Sequence, residues 1–452
     1  MELVIIVLYL VIILAVGLMA GRGITNLKDY AVGGKSFNSM IIFATLSATF
    51  IGGGFSMGNA EKVFLVGIAN IVALWGFSFK EILVAAFIAP RMARYPDAIS
   101  VGDIMEPHYG RGARIFSGIF GIALCAGILG AQVGAMGYIF NLFLGMDRVT
   151  GILIGCGIVI AYATFGGMRA VIWTDVIQFV VLAIGIPLTL YFGISNAGGW
   201  EAMAARIPAE HLLISTEPAA LLSLGALFLT FMLGETMVPP YLQRLMIGRS
   251  SRDTTRGTLF SALFSIPFFA ITGTIGLVAL ALDPTLNPNL AMPYVIKVAL
   301  HPVMQGFVIA AVISIIMSSA DSFLNSASIA FINDIVRPLK TTPMEHSTEL
   351  MLARLTTFAV GVLSIVFAIS IDSLLDILIY AYNFWAPTVL VPLAAAILGF
   401  RATRRRFVAG ALAGIIMALL WNNMFHNPYA IDGLVIGFLS NMAVFFAVPA
   451  GE

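Results

Sequence analysis

Residues 49–59 read TFIGGGFSMGN, and they lie inside a 25-residue run, 36–60, that carries no formal charge. A run of this length and composition is expected to cross a membrane as a helix. Yet each glycine in a helix interior costs about 1 kcal/mol relative to alanine, and irregular backbone at membrane depth is tolerated only inside protein or beside a polar cavity. Small residues also let membrane helices approach closely. Three glycines in succession, preceded by Thr49 and followed by Ser56 and Asn59, favour a break over close packing. A broken helix frees carbonyl oxygens to face a cation and amides to face a polar ligand.

The composition fixes the solvent. The chain has 452 residues, a mean hydropathy of +0.99, 60% apolar residues and 10% charged ones, where a soluble domain carries roughly 25% charged residues. Surface-to-volume scaling does not allow so many long apolar segments to hide in one soluble core. The net charge of +1 implies no nucleic-acid partner. Cys125 and Cys156 sit separately in apolar segments and the five histidines are scattered, so neither a disulfide framework nor a metal site of the His/Cys type is expected. The N-terminal run lacks the basic start of a signal peptide and is long enough to span, so a retained first helix is expected.

Windows of apolar residues give an all-α polytopic membrane protein with about thirteen transmembrane helices, near 2–21, 38–60, 64–89, 115–143, 149–166, 170–194, 218–243, 258–282, 293–320 (continuing toward 333), 352–371, 374–400, 407–421 and 431–449. Basic residues test the alternation. Nineteen of the 24 Lys and Arg, among them Arg22, Arg91, Arg169, Arg244, Arg337 and Arg404, fall on one side of this arrangement. The opposite side has only Lys62, Arg148, Arg206 and Lys297, and Lys80 falls inside a span. The positive-inside rule then places the N-terminus outside and the C-terminus in the cytoplasm of a plasma-membrane protein. No appended soluble domain is expected, so the chain 1–452 reads as one transmembrane unit.

A second interruption lies five spans after the first. The seventh span, LFLTFMLGETMVPPYLQR, contains Gly234, Pro239 and Pro240, and proline removes a donor and clashes with the preceding turn. A simple proline kink is the alternative. Two interrupted spans five apart suit two five-helix inverted repeats, helices 2–6 (about 38–194) and 7–11 (about 218–400), with helices 1, 12 and 13 peripheral. On the ninth span Ser318, Ser319, Asp321, Ser322, Asn325 and Ser326 recur at spacings of three and four and share one face. Serines can back-bond to their own helix, but an intramembrane carboxylate faces a partner, a cavity or an ion. Carbonyls freed at residues 48 and 51, with the Ser318 and Ser319 hydroxyls, would form an oxygen cage suited to a hard cation such as sodium.

The segment FGGMRAVIWTDVIQ (165–178), the broken second span, YLQR (241–244) and SSADSFLNSAS (318–328) together resemble the sodium:solute symporter family, over essentially the whole chain. The resemblance implies a five-plus-five inverted repeat of the LeuT type and solute uptake driven by sodium. It implies a main sodium site made of the carbonyls of Ala48, Ile51 and Ile315 with the side chains of Ser318 and Ser319. It implies a possible second sodium near Asp175, Asp321 and Ser322, although Asp321 replaces a serine. A helix N-cap at the cytoplasmic surface is the other reading of Asp175.

Locally the sequence is most similar to the high-affinity choline transporters of that family, whose substrate is held by an aromatic cage. Phe50 and Phe77 keep rings, but Cys125 and Val238 stand where tryptophans are expected. The expected solute is therefore a small amino acid, carboxylate or related polar metabolite, with choline-type uptake or a proton-coupled permease as alternatives. Its candidate contacts are Phe50, Gly53, Phe55, Phe77, Lys80, Gln132, Glu235 and Tyr382, with Tyr241 and Asn383 as further hydrogen-bonding groups. Lys80 and Glu235 can hold the two ends of a zwitterion or stabilise one another; snorkelling of Lys80 toward the cytoplasm is the other reading. No enzymatic motif is visible. The expected partners are solute, sodium and lipid, in a monomer or weak homo-oligomer.

Overall fold

The computed structural model describes residues 2–22, 24, 26–342, 344–370, 381–383, 385–401 and 403–449. Polar caps start the apolar helices. Asn38 accepts the amides of Met40 and Ile41, Asp147 that of Thr150, and Ser250 that of Asp253, so the first orphan donors of each helix are satisfied at the membrane edge. The helices used below are α1 (Glu2–Ala20), α2 (Ser39–Phe50), α3 (Gly53–Val66), α4 (Ala69–Leu83), α5 (Arg111–Leu144), α6 (Arg148–Asn196), α7 (Pro218–Gly234), α8 (Pro239–Met246), α9 (Ser251–Leu282), α10 (Pro302–Ile329), α11 (His346–Ser370), α12 (Arg404–Asn423) and α13 (Gly433–Ala447). Among the described residues the only β contact is an isolated parallel bridge between Phe37 and Gly248.

Both expected interruptions are present. At the end of α2, Ile51 (φ −87°, ψ 32°) and Gly52 (φ −55°, ψ 172°) leave the helical region, and the chain resumes as α3 after a bend of 49°. The second break lies between α7 and α8, bent by 55°, where Met237 is left-handed (φ 52°) and Val238 is extended before the paired prolines open α8. Proline at the first helical turn lacks only a donor that would be orphaned anyway.

Among the described residues eight helices are long and apolar enough to cross a membrane, or ten when each bent pair is one crossing. The described residues therefore do not establish the expected count of thirteen. The 49-residue α6 is itself divided at Gly167 (φ 52°, ψ −165°), between the expected fifth and sixth spans. Shorter apolar helices, 386–398 and α13, occupy the places of the eleventh and thirteenth, and the start of the eleventh lies outside the described residues. One boundary moves. The ninth span was expected from 293, but Ala291–Ala299 is a separate helix, Leu300 and His301 are extended, and Pro302 starts α10. The residue before a proline is pushed out of the helical region, which accounts for the break.

α10 lies at the centre. In its most apolar window 94% of residues are buried, against 22% for α1 and 28% for α12. Its polar stripe, from Ser318 to Ser326, is wholly buried. Large apolar side chains such as Leu3, Val11, Phe165, Leu355, Phe358 and Val366 are exposed on the outer helices, as lipid contact requires. The two broken spans are tied together by main chain: the Phe37 amide donates to Ile247 O (3.3 Å) and the Arg249 amide to Phe37 O (3.0 Å).

Candidate functional site

The break in the second span faces the serine stripe. Ser319 Oγ donates to Thr49 O at 2.5 Å and reaches Ile315 O at 3.3 Å, bridging the end of α2 to α10. Gly52 makes this approach possible: a Cβ there would lie 2.2 Å from Ser319 Oγ and 3.0 Å from Gln132 Nε2. The neighbouring Ile51 carbonyl accepts Ser56 Oγ at 2.8 Å. Ala48, Ile51, Ile315, Ser318 and Ser319 are all buried. The structure thus brings together carbonyls and hydroxyls, with the Asp175 carboxylate reached through Ser318 Oγ, a donor set of hard oxygens that suits a monovalent hard cation.

Below this lies a denser cluster. Arg244 is fully buried, and its Nη2 pairs with Asp175 Oδ2 at 2.9 Å while donating to Ser322 Oγ at 2.5 Å. Its Nε donates to Thr45 Oγ1 at 3.0 Å and its Nη1 to Pro240 O at 3.2 Å. Asp175 also accepts the hydroxyls of Thr45, Thr49 and Ser318. One guanidinium therefore links α2, α6, α8 and α10. Asp321, also buried, accepts Tyr162 OH at 2.8 Å and contacts Ser322 Oγ at 3.1 Å. Asp175 is not the surface helix cap allowed above; it lies inside α6. Arg244 likewise is not a cytoplasmic loop charge, because α8 carries it back into the core.

Beside the break an aromatic cage surrounds a lysine. Lys80 Nζ lies 3.7 Å from the ring centre of Phe77, 4.4 Å from Tyr241 and 5.7 Å from Phe50. Lys80 is 2% exposed, so it does not snorkel. Glu235 caps the break after α7, and its Oε1 accepts Tyr382 OH at 3.1 Å. Trp385 Nε1 donates to Thr236 O at 3.0 Å in the same break. Phe55 packs with Phe77, Phe231 and Phe269 in an apolar cluster, which makes it a wall of the site. Gly53 opens α3.

The family model described as sodium:solute symporter family matches residues 30–418. The chain belongs to that family. The symporter is 25% identical to the high-affinity proline transporter PutP of Bacillus subtilis, over 96% of this chain and 94% of that one. It is 26% identical to high-affinity choline transporter 1 of Drosophila melanogaster, over 92% of this chain and 69% of that one. A solved structure of a sodium-coupled sialic acid symporter, bound to substrate and open outward, superposes with a TM-score of 0.83 at 20% identity, covering 99% of this chain and 98% of that one. This likeness fixes the LeuT-type inverted-repeat fold. The symporter is a multi-pass membrane transporter and not an enzyme.

Several residues of the symporter's site escaped sequence reasoning. Thr45 and Tyr162 join Thr49 in the buried polar cluster, yet threonine and tyrosine are ordinary in apolar helices. Arg244 was legible as part of YLQR, but its place immediately after the expected seventh span, 218–243, read as a loop charge. The cage was expected to be largely missing; Tyr241 supplies the third ring, and the lysine fills it.

Proposed function

We propose that the protein imports a small organic solute, an amino acid, carboxylate or related polar metabolite, by alternating access coupled to sodium. The observation that carries the reading is Ser319 Oγ held between Thr49 O and Ile315 O across the break. Sodium entering there would take over those oxygens, together with the carbonyls of Ala48 and Ile51 and the Ser318 hydroxyl. It would thereby lock α2 against α10 in one register and favour the outward-open state. The two repeats are 38–194 and 218–400, with the N-terminus outside the plasma membrane.

A second sodium among Asp175, Asp321 and Ser322 would compete with the Arg244 guanidinium for the same oxygens. The reading that fits is one sodium at the break, with Arg244 as the fixed cation of the lower cluster. Proline transport by relatives makes L-proline the first solute to test.

The test uses purified protein in proteoliposomes and in detergent. Sodium, but not potassium, is expected to raise the melting temperature of wild-type protein, and Ser319→Ala is expected to weaken the sodium response about tenfold or more, the loss of one charge-assisted contact. A sodium response unchanged in Ser319→Ala would remove the site. The proton-coupled reading rests on Asp321, which has no ion-pair partner among the described residues. Uptake driven by a pH gradient alone, abolished by Asp321→Asn and indifferent to Ser319→Ala, would establish it instead.

A further inference from the structure

The aromatic cage is already filled, by a cation of the chain's own. Rings hold cations against their faces within about 6 Å of the centre, and Phe50, Phe77 and Tyr241 all meet that condition around Lys80 Nζ. Aromatic faces stabilise a positive charge without consuming its N–H groups. Among the described residues Lys80 Nζ accordingly has no hydrogen-bond acceptor although it is buried. Two carboxylates act on it: its sequence neighbour Glu81, the stronger, which lies beside Ser261 and Tyr241, and Glu235. Glu235, whose charge is felt at Lys80, has Oε1 engaged by Tyr382 but Oε2 without a partner among the described residues. A buried ammonium with free donors, packed on the last residue of α2, and a buried carboxylate with a free acceptor, at the break after α7, therefore lie close enough for each to act on the other. Unpaired buried polar groups are costly in hydrocarbon, and a ligand supplying one group of each kind satisfies both.

We propose that Lys80 anchors the carboxylate of a zwitterionic solute whose amino group is taken by Glu235, and that the lysine, by filling the cage of Phe50, Phe77 and Tyr241, excludes quaternary ammonium solutes. This rests on the transporter reading above and names its substrate class. The solute is an amino or imino acid. Its carboxylate approaches the ammonium from the side that the three rings leave open, and choline meets a like charge where its own would sit.

Thermal stabilisation of the full-length protein in detergent, in sodium and in potassium, tests the proposal. The probes are the standard amino acids, pyrrolidine, cyclopentanecarboxylate and choline. Wild type is expected to be stabilised by at least one zwitterion, less by cyclopentanecarboxylate, and not by pyrrolidine or choline. Lys80→Met is expected to weaken the zwitterion response about tenfold or more and to create a response to choline, because the emptied cage becomes available. A lysine serving only to balance Glu81 and Glu235 would move the melting temperature without exchanging one solute class for the other. Lys80→Arg retains the charge and is expected to retain rejection of choline. If Lys80→Met does not fold, the wild-type panel decides alone. Stabilisation of wild type by choline or pyrrolidine, or by no carboxylate-bearing probe, overturns the assignment, as does a Lys80→Met protein with an unchanged zwitterion response. Sodium stabilisation of the ligand-free protein is read separately. Its absence would defeat sodium coupling while leaving a Lys80-dependent zwitterion response in potassium intact.

Discussion

Arg244 is one residue doing the electrostatic work of an ion. With both Arg244 and Asp175 fully shielded from solvent, their pairing is weak evidence of net stabilisation, because desolvation offsets much of the attraction. Removing one partner is a different matter, since it strands a charge. Arg244→Met is expected to cost about 3–5 kcal/mol, read as a large drop in melting temperature and in yield of monodisperse protein. Arg244→Met combined with Asp175→Asn is expected to recover much of that loss, because the stranded carboxylate is gone. A double variant no better than the single one would show that the hydrogen bonds to Thr45, Ser322 and Pro240 matter more than charge. This pair also marks a limit of sequence reading. Asp175 and Arg244 are 69 positions apart, and neither helix periodicity nor composition pairs them; only the return of α8 into the core does so.

At the scale of elements the interruptions were the legible part. Glycine and proline act on the backbone directly, so Gly52 and the Pro239–Pro240 pair announced breaks that tertiary contacts then oriented. What the glycine run did not announce was which glycine mattered for packing. Gly52 is one such residue, because its missing Cβ admits Ser319. Gly52→Ala is expected to push α10 away from Thr49 O and raise the sodium concentration for half-maximal stabilisation by about tenfold or more. Gly157→Ala, on a stretch of α6 with nothing within 4 Å, serves as the matched control and is expected to leave the sodium response unchanged. Equal effects of the two would mean that helix propensity, not the approach of Ser319, sets the response. The ninth-span boundary was misread for the opposite reason. The stretch 291–313 is mostly apolar despite Lys297, His301 and Gln305, and Pro302 divides it.

For the whole molecule, coupling is a matter of energy across the membrane. One positive charge moved inward through 100 mV contributes roughly 2.3 kcal/mol, close to a fiftyfold accumulation. Concentrative uptake into proteoliposomes is expected to vanish when sodium is replaced by potassium and to rise with an inside-negative potential. The orientation is testable in the same vesicles or in cells. Glu210 and Arg249 are both exposed, and both native cysteines are buried, so the labelling background is low. Glu210→Cys is expected to react with an impermeant thiol reagent from outside and Arg249→Cys only after permeabilisation; the reverse pattern would invert the topology. The basic-residue asymmetry that gave this orientation survives the loss of Arg244 from the loop set, since Arg249, Arg252 and Arg256 follow on the same side.

The short bridge between Phe37 and Gly248 bears on how such a machine moves. Because the clasp is made of peptide groups, almost any side chain at position 37 leaves it closed, and only proline deletes its donor. Rocking that carries the lower half of one discontinuous rod must therefore drag the lower half of the other with it. On the alternating-access reading proposed above, the ion gate and the solute gate then share a single lever.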